Sequence, residues 1–456
     1  MSALPRSAPL DVAVVGGGWA GLAAAVALAR AGRQVTLIEA APQLGGRARR
    51  LTIDAPNGRS WTVDNGQHIL IGAYRASLGL LHSLGVDLHH AVLTLPLGLP
   101  QPGGAGLRTP AWAARWPAPA DSLLAMLAHS GWSLGDRLHW LATAAGWRLR
   151  GFVCAPQLTV AELCHTVPRA VVRDLIEPLC VSALNVAPER ASAALFLRVL
   201  RDALAGPVTR LGAHSYPPAA LLLPRSDLGA LLPDAASAWL LAHGHTLWLG
   251  QTVQSITLGE DAWQLALADG RCAHARQVVW ATSAPVAARA LGALAPDWAA
   301  TAGALDHTAI ATVYAWSPQA RLSDPMLALP ASPEQAGQVA QFVFDRGQLQ
   351  GPEHAGLLAL VVSDAQGSAQ ALEHSVMAHA RGVLRLPDLQ AVQTVVDKRA
   401  TFACTPDLHR PPAAVAPGLV VSGDYVDGPY PATLEGAVRA GDNAAALLQG
   451  KALAWA

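Results

Sequence analysis

Residues Asp11 to Glu39, DVAVVGGGWAGLAAAVALARAGRQVTLIE, constrain the architecture more than any other part of the chain. An apolar run, Asp11 to Val15, stops at three consecutive glycines. A small-residue helix is predicted from about Trp19 to Ala31, and a second apolar run, Val35 to Ile38, ends on Glu39. Strand, glycine turn, helix and strand in this order form a dinucleotide site. Gly16 supplies the tight turn, Gly18 lets the backbone approach a pyrophosphate, and Gly21 lets the helix lie close on the strand. The helix start aims its unpaired N–H groups and its dipole at the phosphates. Glu39 stands where a carboxylate accepts hydrogen bonds from the adenosine ribose. Such a site marks a candidate redox enzyme.

The chain has 456 residues, enough for two or three intertwined domains with sizeable cores. Hydrophobic residues make up 52% and charged residues 14%, which excludes disorder as the dominant state, and a net charge of zero leaves no electrostatic case for nucleic acid. Cys154, Cys164, Cys180, Cys272 and Cys404 contain no CxxC and suit reduced, packed thiols in a cytosolic protein. His89–His90 and His243/His245 lack partners at ligand spacing, so no metal is expected. Val12 to Ala31 nearly reaches the ~20 residues of a membrane span, but its glycines and its dinucleotide pattern argue against one. No basic region with a small-residue cleavage site precedes it, so a cytoplasmic protein is expected.

Two later pieces refine the cofactor. Gln43 to Arg50, QLGGRARR, places Gly46 and Arg47 after the ribose acid, where a guanidinium can pair with the pyrophosphate. Leu419 to Val421 form a short strand leading into Gly423–Asp424, and Pro431 opens a helix running to about Leu448. An acid after a strand can hold the ribityl hydroxyls of a flavin. The helix N-terminus can face the pyrimidine end of the ring, favouring its anionic reduced form by ~0.3–2 kcal/mol. FAD is therefore preferred over NAD.

The expected fold class is α/β: a discontinuous Rossmann-like FAD-binding domain with an α+β substrate domain and a helical lipid-access region. The boundaries are 1–104, 216–290 and 415–456 for the FAD-binding parts, 105–215 for the helical region and 291–414 for the substrate domain. Within the last, Ile310 to Trp316, Gln341 to Phe344 and Leu357 to Val362 read as strands and Ala369 to Leu384 as a helix.

GGGWAGLAAA, GGR at 45–47, DNGQH at 64–68, LPRSDL at 223–228, VVWATSAP at 278–285 and GD…PATLEGAV at 423–438 occur in an order that resembles the amine oxidase and phytoene desaturase superfamily of FAD flavoproteins. DNGQHILIGAYRASL (64–78) and EPLCVSALNVAPERASA (177–193) most resemble the hydroxysqualene dehydroxylases of bacterial hopanoid synthesis. The resemblance implies Gly16, Gly18 and Gly21 at the pyrophosphate, Glu39 at the ribose and Arg47 beside the phosphates. It also implies the Val253 backbone at the adenine, Asp424 on the ribitol, Leu434 and Glu435 at the flavin edge, and Gly66 and Gln67 along the isoalloxazine. The wider family's RxGGRxxT departs here at Gln43 and Arg50.

The lysines are Lys398 and Lys451, and Thr433 stands where amine oxidases carry an aromatic residue, so amine oxidation is disfavoured. The reaction implied is reductive dehydroxylation of hydroxysqualene, a long-chain isoprenoid, to squalene. An external electron donor is expected because no second nucleotide fingerprint is present. Asp64 or His68 could protonate the hydroxyl, the other reading of each being a structural hydrogen bond that fixes the loop. Tyr430 could offer a hydroxyl or a π face, or pack in the core. Trp112, Trp116, Trp132, Trp140 and Trp147 mark either a surface touching the inner membrane or an internal helix pair, with Ser133 and Asp136 opening a helix as a capping box. Two rival functions remain: a carotenoid-type desaturase, with hydride moving the other way, and a flavin-free prenyl-lipid carrier on the same fold.

Overall fold

A computed structural model of the chain describes residues 9–54, 56, 58, 60–110, 124, 126–129, 131–330 and 339–451. Strand Leu10–Val15 lies at its centre, with Val12, Ala13 and Val14 wholly buried. A strand apolar on both faces is stable only inside a sheet covered on both sides, and such strands pair in parallel through crossovers. Val35–Glu39 accordingly runs parallel along one side, with Val12 opposite Val35, and Cys272–Trp280 along the other, with Val15 opposite Trp280. Thr246–Leu249 extends the parallel array beyond Val35–Glu39, and Leu419–Val421 pairs in parallel with Val278 to Trp280. Antiparallel strands Trp263–Leu267 and Val253–Leu258 continue from the first half of Cys272–Trp280. The main sheet thus draws on three distant stretches of chain, giving a discontinuous, Rossmann-like α/β architecture.

Helix Trp19–Arg30 makes the first crossover and packs against the C-terminal helix, Leu434–Leu448. Its approach to the sheet is set by glycine. Gly16 turns the chain at φ +110°, and a Cβ on Gly21 would stand 1.9 Å from the Gly16 carbonyl oxygen. Only a hydrogen fits there.

A second sheet of five antiparallel strands runs Met326–Ala328, Phe342–Asp345, Leu357–Ser363, His307–Trp316, Gln390–Phe402, and helix Ala369–Leu384 packs on it. The three strand-like runs and the helix expected here are all present. The long strand Gln390–Phe402 was not anticipated. Its residues are mostly half-buried and its pairing is interrupted by bulges, so its sequence has no clean two-residue alternation. Helices Leu134–Leu149, Glu177–Leu184 and Ala193–Ala205 contribute Trp140, Trp147, Leu184 and Phe196 to the main core, the first opened by the Ser133–Asp136 capping box.

Gly21→Val is expected to lift the helix off the glycine turn. Overpacking of this kind destabilises by ~1–3 kcal/mol. A lower urea midpoint together with weaker flavin retention checks it; an unchanged midpoint would contradict the close contact.

Candidate active site

A cavity of about 620 Å³ opens at the carboxyl ends of the parallel strands. One half is lined by Gly16, Gly18, Glu39, Arg47, Val253 and Asp424. The N-terminus of helix Trp19–Arg30 borders it with no side-chain cap and no acid in its first turn, so nothing competes there for an incoming anion. A Cβ on Gly18 would meet nothing closer than the Gly46 Cα at 4.0 Å, which leaves the backbone open to a ligand. Glu39 is held by N–H donors of Gly17 at 2.6 Å and Ala41 at 2.7 Å, which fixes a carboxylate at the end of its strand. Arg47 donates through Nη2 to Asp424 Oδ1 at 2.5 Å and through Nη1 to the Ala400 carbonyl at 2.8 Å. Residues 377 apart thus share one wall. The 43–50 loop, despite its departures from the family pattern, is clamped by Asn65, which accepts from Arg49 N–H at 3.1 Å and donates to the Arg47 carbonyl at 2.8 Å.

Gly66, Gln67 and His68 line the cavity where its character changes from polar to apolar. The His68 Nδ1 lies 2.7 Å from the Gly66 carbonyl oxygen, which can only accept, so Nδ1 carries a proton and Nε2 is left for the cavity. Burial, reinforced by the Arg47 charge and opposed by the Gly66 bond, pushes the imidazole below its ordinary value. Gln67 accepts through Oε1 from Arg346 Nη1, which fixes the orientation of its amide.

Three of the expected residues have other tasks. Asp64 is wholly buried and does not line the cavity. It accepts from the Leu228 N–H at 2.7 Å, its other oxygen lies 3.7 Å from Arg346 Nη2, and its carbonyl accepts from Tyr314 at 2.6 Å. It therefore braces the loop rather than delivering a proton into the cavity. Tyr430 also lies off the cavity: its hydroxyl donates to Asp202 at 2.6 Å and its ring lies under Arg439. Glu435, wholly buried, accepts from Ala76 N–H, from both Ser77 donors and from Arg439 Nε at 2.8–3.0 Å. Its carboxylate thus caps helix Arg75–Ser83, while neighbouring Leu434 lines the cavity. Asp64 ends strand Ser60–Asp64, while Tyr430 and Glu435 flank the start of helix Leu434–Leu448; which way each side chain faces is set by tertiary packing and is not given by sequence order.

The apolar half is walled by Met126, Trp140, Phe196, Leu200, Phe342 and Phe344, among others. Trp132, Trp140 and Trp147 are buried; Trp140 and Trp147 meet edge to face at 5.6 Å, and Trp132 donates to Asp174 at 3.2 Å. These three indoles belong to the interior, as in the helix-pair reading. Trp112 and Trp116 lie outside the described residues. Sequence reasoning missed Arg346, whose partner Gln67 is 279 residues away and which belongs to no motif. It also missed Asn185 and Thr401. Asn185 sits within EPLCVSALNVAPERASA, where an amide in an apolar run was the available signal.

Burial pushes the Asp64 carboxyl up to about 6, against the pull of Arg346. The folded protein therefore holds this proton over a range in which the unfolded chain, near 3.8, has released it. Stability from this group is greatest at acid pH and falls as pH rises from about 4 to 6. Urea unfolding of Asp64→Asn across that window is expected to lack this fall; an identical slope in both proteins would contradict it. Glu435→Ala is expected to lose about 1–3 kcal/mol, because it strips the acceptor from the Ala76 and Ser77 donors and from the half-buried Arg439 guanidinium; a change below ~1 kcal/mol would remove the capping role.

The profile of the family described as flavin containing amine oxidoreductase matches residues 19–449. Hydroxysqualene dehydroxylase of Rhodopseudomonas palustris is 27% identical over 96% of this chain and 98% of its own length. The protein of the same name from Sinorhizobium fredii is 26% identical over 96% and 98%. An oxidoreductase from Methanosarcina mazei has a similar fold, with a TM-score of 0.71 and 16% identity over 95% of this chain and 99% of that one.

Proposed function

Since the chain belongs to the flavin containing amine oxidoreductase family and is an FAD-dependent oxidoreductase, we propose that its reaction is the reductive dehydroxylation of hydroxysqualene to squalene. The observation that carries this reading is the single cavity whose polar half suits a dinucleotide and whose apolar half suits a long hydrocarbon. The names of the full-length relatives support the same reading.

In this proposal Gly16, Gly18, Gly46 and Arg47 hold the FAD pyrophosphate and Glu39 the ribose. Val253 borders the adenine, Asp424 takes the ribitol, and Gly66, Gln67 and Leu434 flank the ring. Bound there in its reduced form, FAD would supply the hydride that replaces the hydroxyl, the latter leaving as water once protonated. The chain's own residues do the rest. Phe342, Phe344 and Leu200 enclose the hydrocarbon and exclude water, so an allylic cation meets no competing nucleophile. His68, the remaining expected proton donor on the cavity wall, can donate through Nε2 when it is imidazolium.

An external electron donor completes the proposal, since the glycine fingerprint at 16–21 has no second copy. So does a peripheral contact with a lipid surface on the cytoplasmic side, for which exposed Leu134, Leu138, Leu149 and Val153 speak. No helix among the described residues is long and apolar enough to cross a membrane.

Hydroxysqualene mixed with reduced enzyme in D2O, where the exchangeable N5 position of the flavin carries deuterium, is expected to give squalene with one deuterium by mass spectrometry. Unlabelled squalene, or dehydrosqualene formed from squalene and oxidised enzyme, would overturn the reading, the latter in favour of a desaturase. A preparation that binds no flavin would favour the carrier. Ala203→Phe, which places a ring in the apolar half, is expected to lower kcat/KM by about tenfold or more, ~1.4 kcal/mol, with the flavin spectrum unchanged. The imidazolium form of His68 becomes more abundant as pH falls through its lowered value, so kcat is expected to rise toward acid pH. His68→Gln should flatten that limb and reduce kcat about 100-fold; an unchanged pH profile would assign the proton elsewhere.

A further inference from the structure

Where the polar and apolar halves of the cavity meet, Thr401 carries a hydroxyl proton that has no partner among the described residues. Asn185 follows helix Glu177–Leu184 and is turned by a left-handed backbone at φ 52°. Its Oδ1 accepts from the Asp364 N–H at 2.8 Å. A backbone N–H can only donate, so the amide orientation is fixed and Nδ2 must face the other way. Nδ2 reaches Thr308 Oγ1 at 2.8 Å and Thr401 Oγ1 at 3.0 Å. Both hydroxyl oxygens are therefore acceptors, and they lie 2.7 Å from each other.

One proton joins the two hydroxyls, and the other must go elsewhere. Thr308 is buried and away from the cavity, so a spare proton there would have no partner. Thr401 lines the cavity. The arrangement that leaves nothing buried unsatisfied has Thr308 donating to Thr401 and Thr401 donating into the cavity. Among other hydroxyls on this wall, Ser182 donates to the Leu179 carbonyl at 3.2 Å and Thr433 to the Pro431 carbonyl at 3.3 Å, while Ser363 is a second hydroxyl whose proton has no assigned partner among the described residues. Thr401 also follows Ala400, whose carbonyl accepts from Arg47, which puts it at the boundary of the polar and apolar halves.

We infer that Thr401, polarised by Asn185 and Thr308, is the hydroxyl-recognition site of the cavity, donating to the oxygen of a long-chain isoprenoid alcohol and so distinguishing alcohol from hydrocarbon. This rests on the proposed dehydroxylation for its choice of ligand, but it concerns binding and can be tested without turnover. Oxidised FAD-bound enzyme cannot deliver hydride. Titrating it with hydroxysqualene and with squalene, followed by flavin absorbance and tryptophan fluorescence, gives both dissociation constants.

The wild type is expected to bind the alcohol about tenfold more tightly, the size of one hydrogen bond. Thr401→Val keeps the β-branched shape and removes the proton; it should bring the ratio to about one with squalene affinity unchanged. Thr401→Ser should keep the preference, and comparing it with Thr401→Ala serves the same purpose should valine lose flavin. Ser363→Ala, which removes a neighbouring hydroxyl on the wall, should leave the ratio alone. A wild type without preference, a Thr401→Val protein that retains it, or a loss in Ser363→Ala alone would overturn the inference. A Thr401-dependent preference in an enzyme that forms no squalene would instead overturn the proposed reaction and leave this site standing.

Discussion

Parallel pairing on both sides of strand Cys272–Trp280 is the constraint on which the rest of the structure depends. One side takes Leu10–Val15, which ends at the glycine turn; the other takes Leu419–Val421, which ends at Gly423 and Asp424. Because all three run in the same direction, their carboxyl ends open at one edge, where a crevice forms in open parallel sheets. The Arg47–Asp424 ion pair is the side-chain expression of that backbone geometry. Without the shared direction, the turn and the acid would lie at opposite ends of the sheet.

Beneath the cavity the polar groups form a brace. Asp64, Arg346, Gln67 and Tyr314 link the hairpin strand Ser60–Asp64 to the second sheet, with the Asp64 and Arg346 side chains wholly excluded from water. A buried ion pair of this kind contributes little net stability, since desolvation offsets attraction, but removing one partner strands the other. Its effect here is positional. The loop 65–68, which carries Gln67 and His68 into the cavity, is held from below, while Glu435 does the same for helix Arg75–Ser83. Acids beside the cavity thus hold the scaffold, and the wall itself is left mostly apolar.

The glycine turn, the helix after it, Glu39 and the closing Gly423–Asp424 segment were legible because local chemistry demands those residue types: a positive φ, a missing Cβ, a carboxylate at a strand end. Gly66, Gln67, His68 and Leu434 line the cavity. Asp64, Tyr430 and Glu435 were close in sequence to wall residues, yet their side chains turn the other way, and which face a loop residue presents is decided by tertiary packing. Arg346 and Thr401 were invisible for a related reason. Each acquires its meaning only from partners far along the chain, Gln67 for one and Asn185 with Thr308 for the other.

The interleaving of segments also has a kinetic side. Strand Leu419–Val421 and helix Leu434–Leu448 belong to the same sheet and core as Leu10–Val15 and Trp19–Arg30, so these contacts span some of the longest loops the chain can close. A ribosome-bound chain lacking them would have its first crossover helix uncovered on one flank and its ligand crevice missing a wall. Assembly of this molecule is thus a late event in its synthesis, and a ligand able to bridge the early and late segments would act as a clasp on the finished fold.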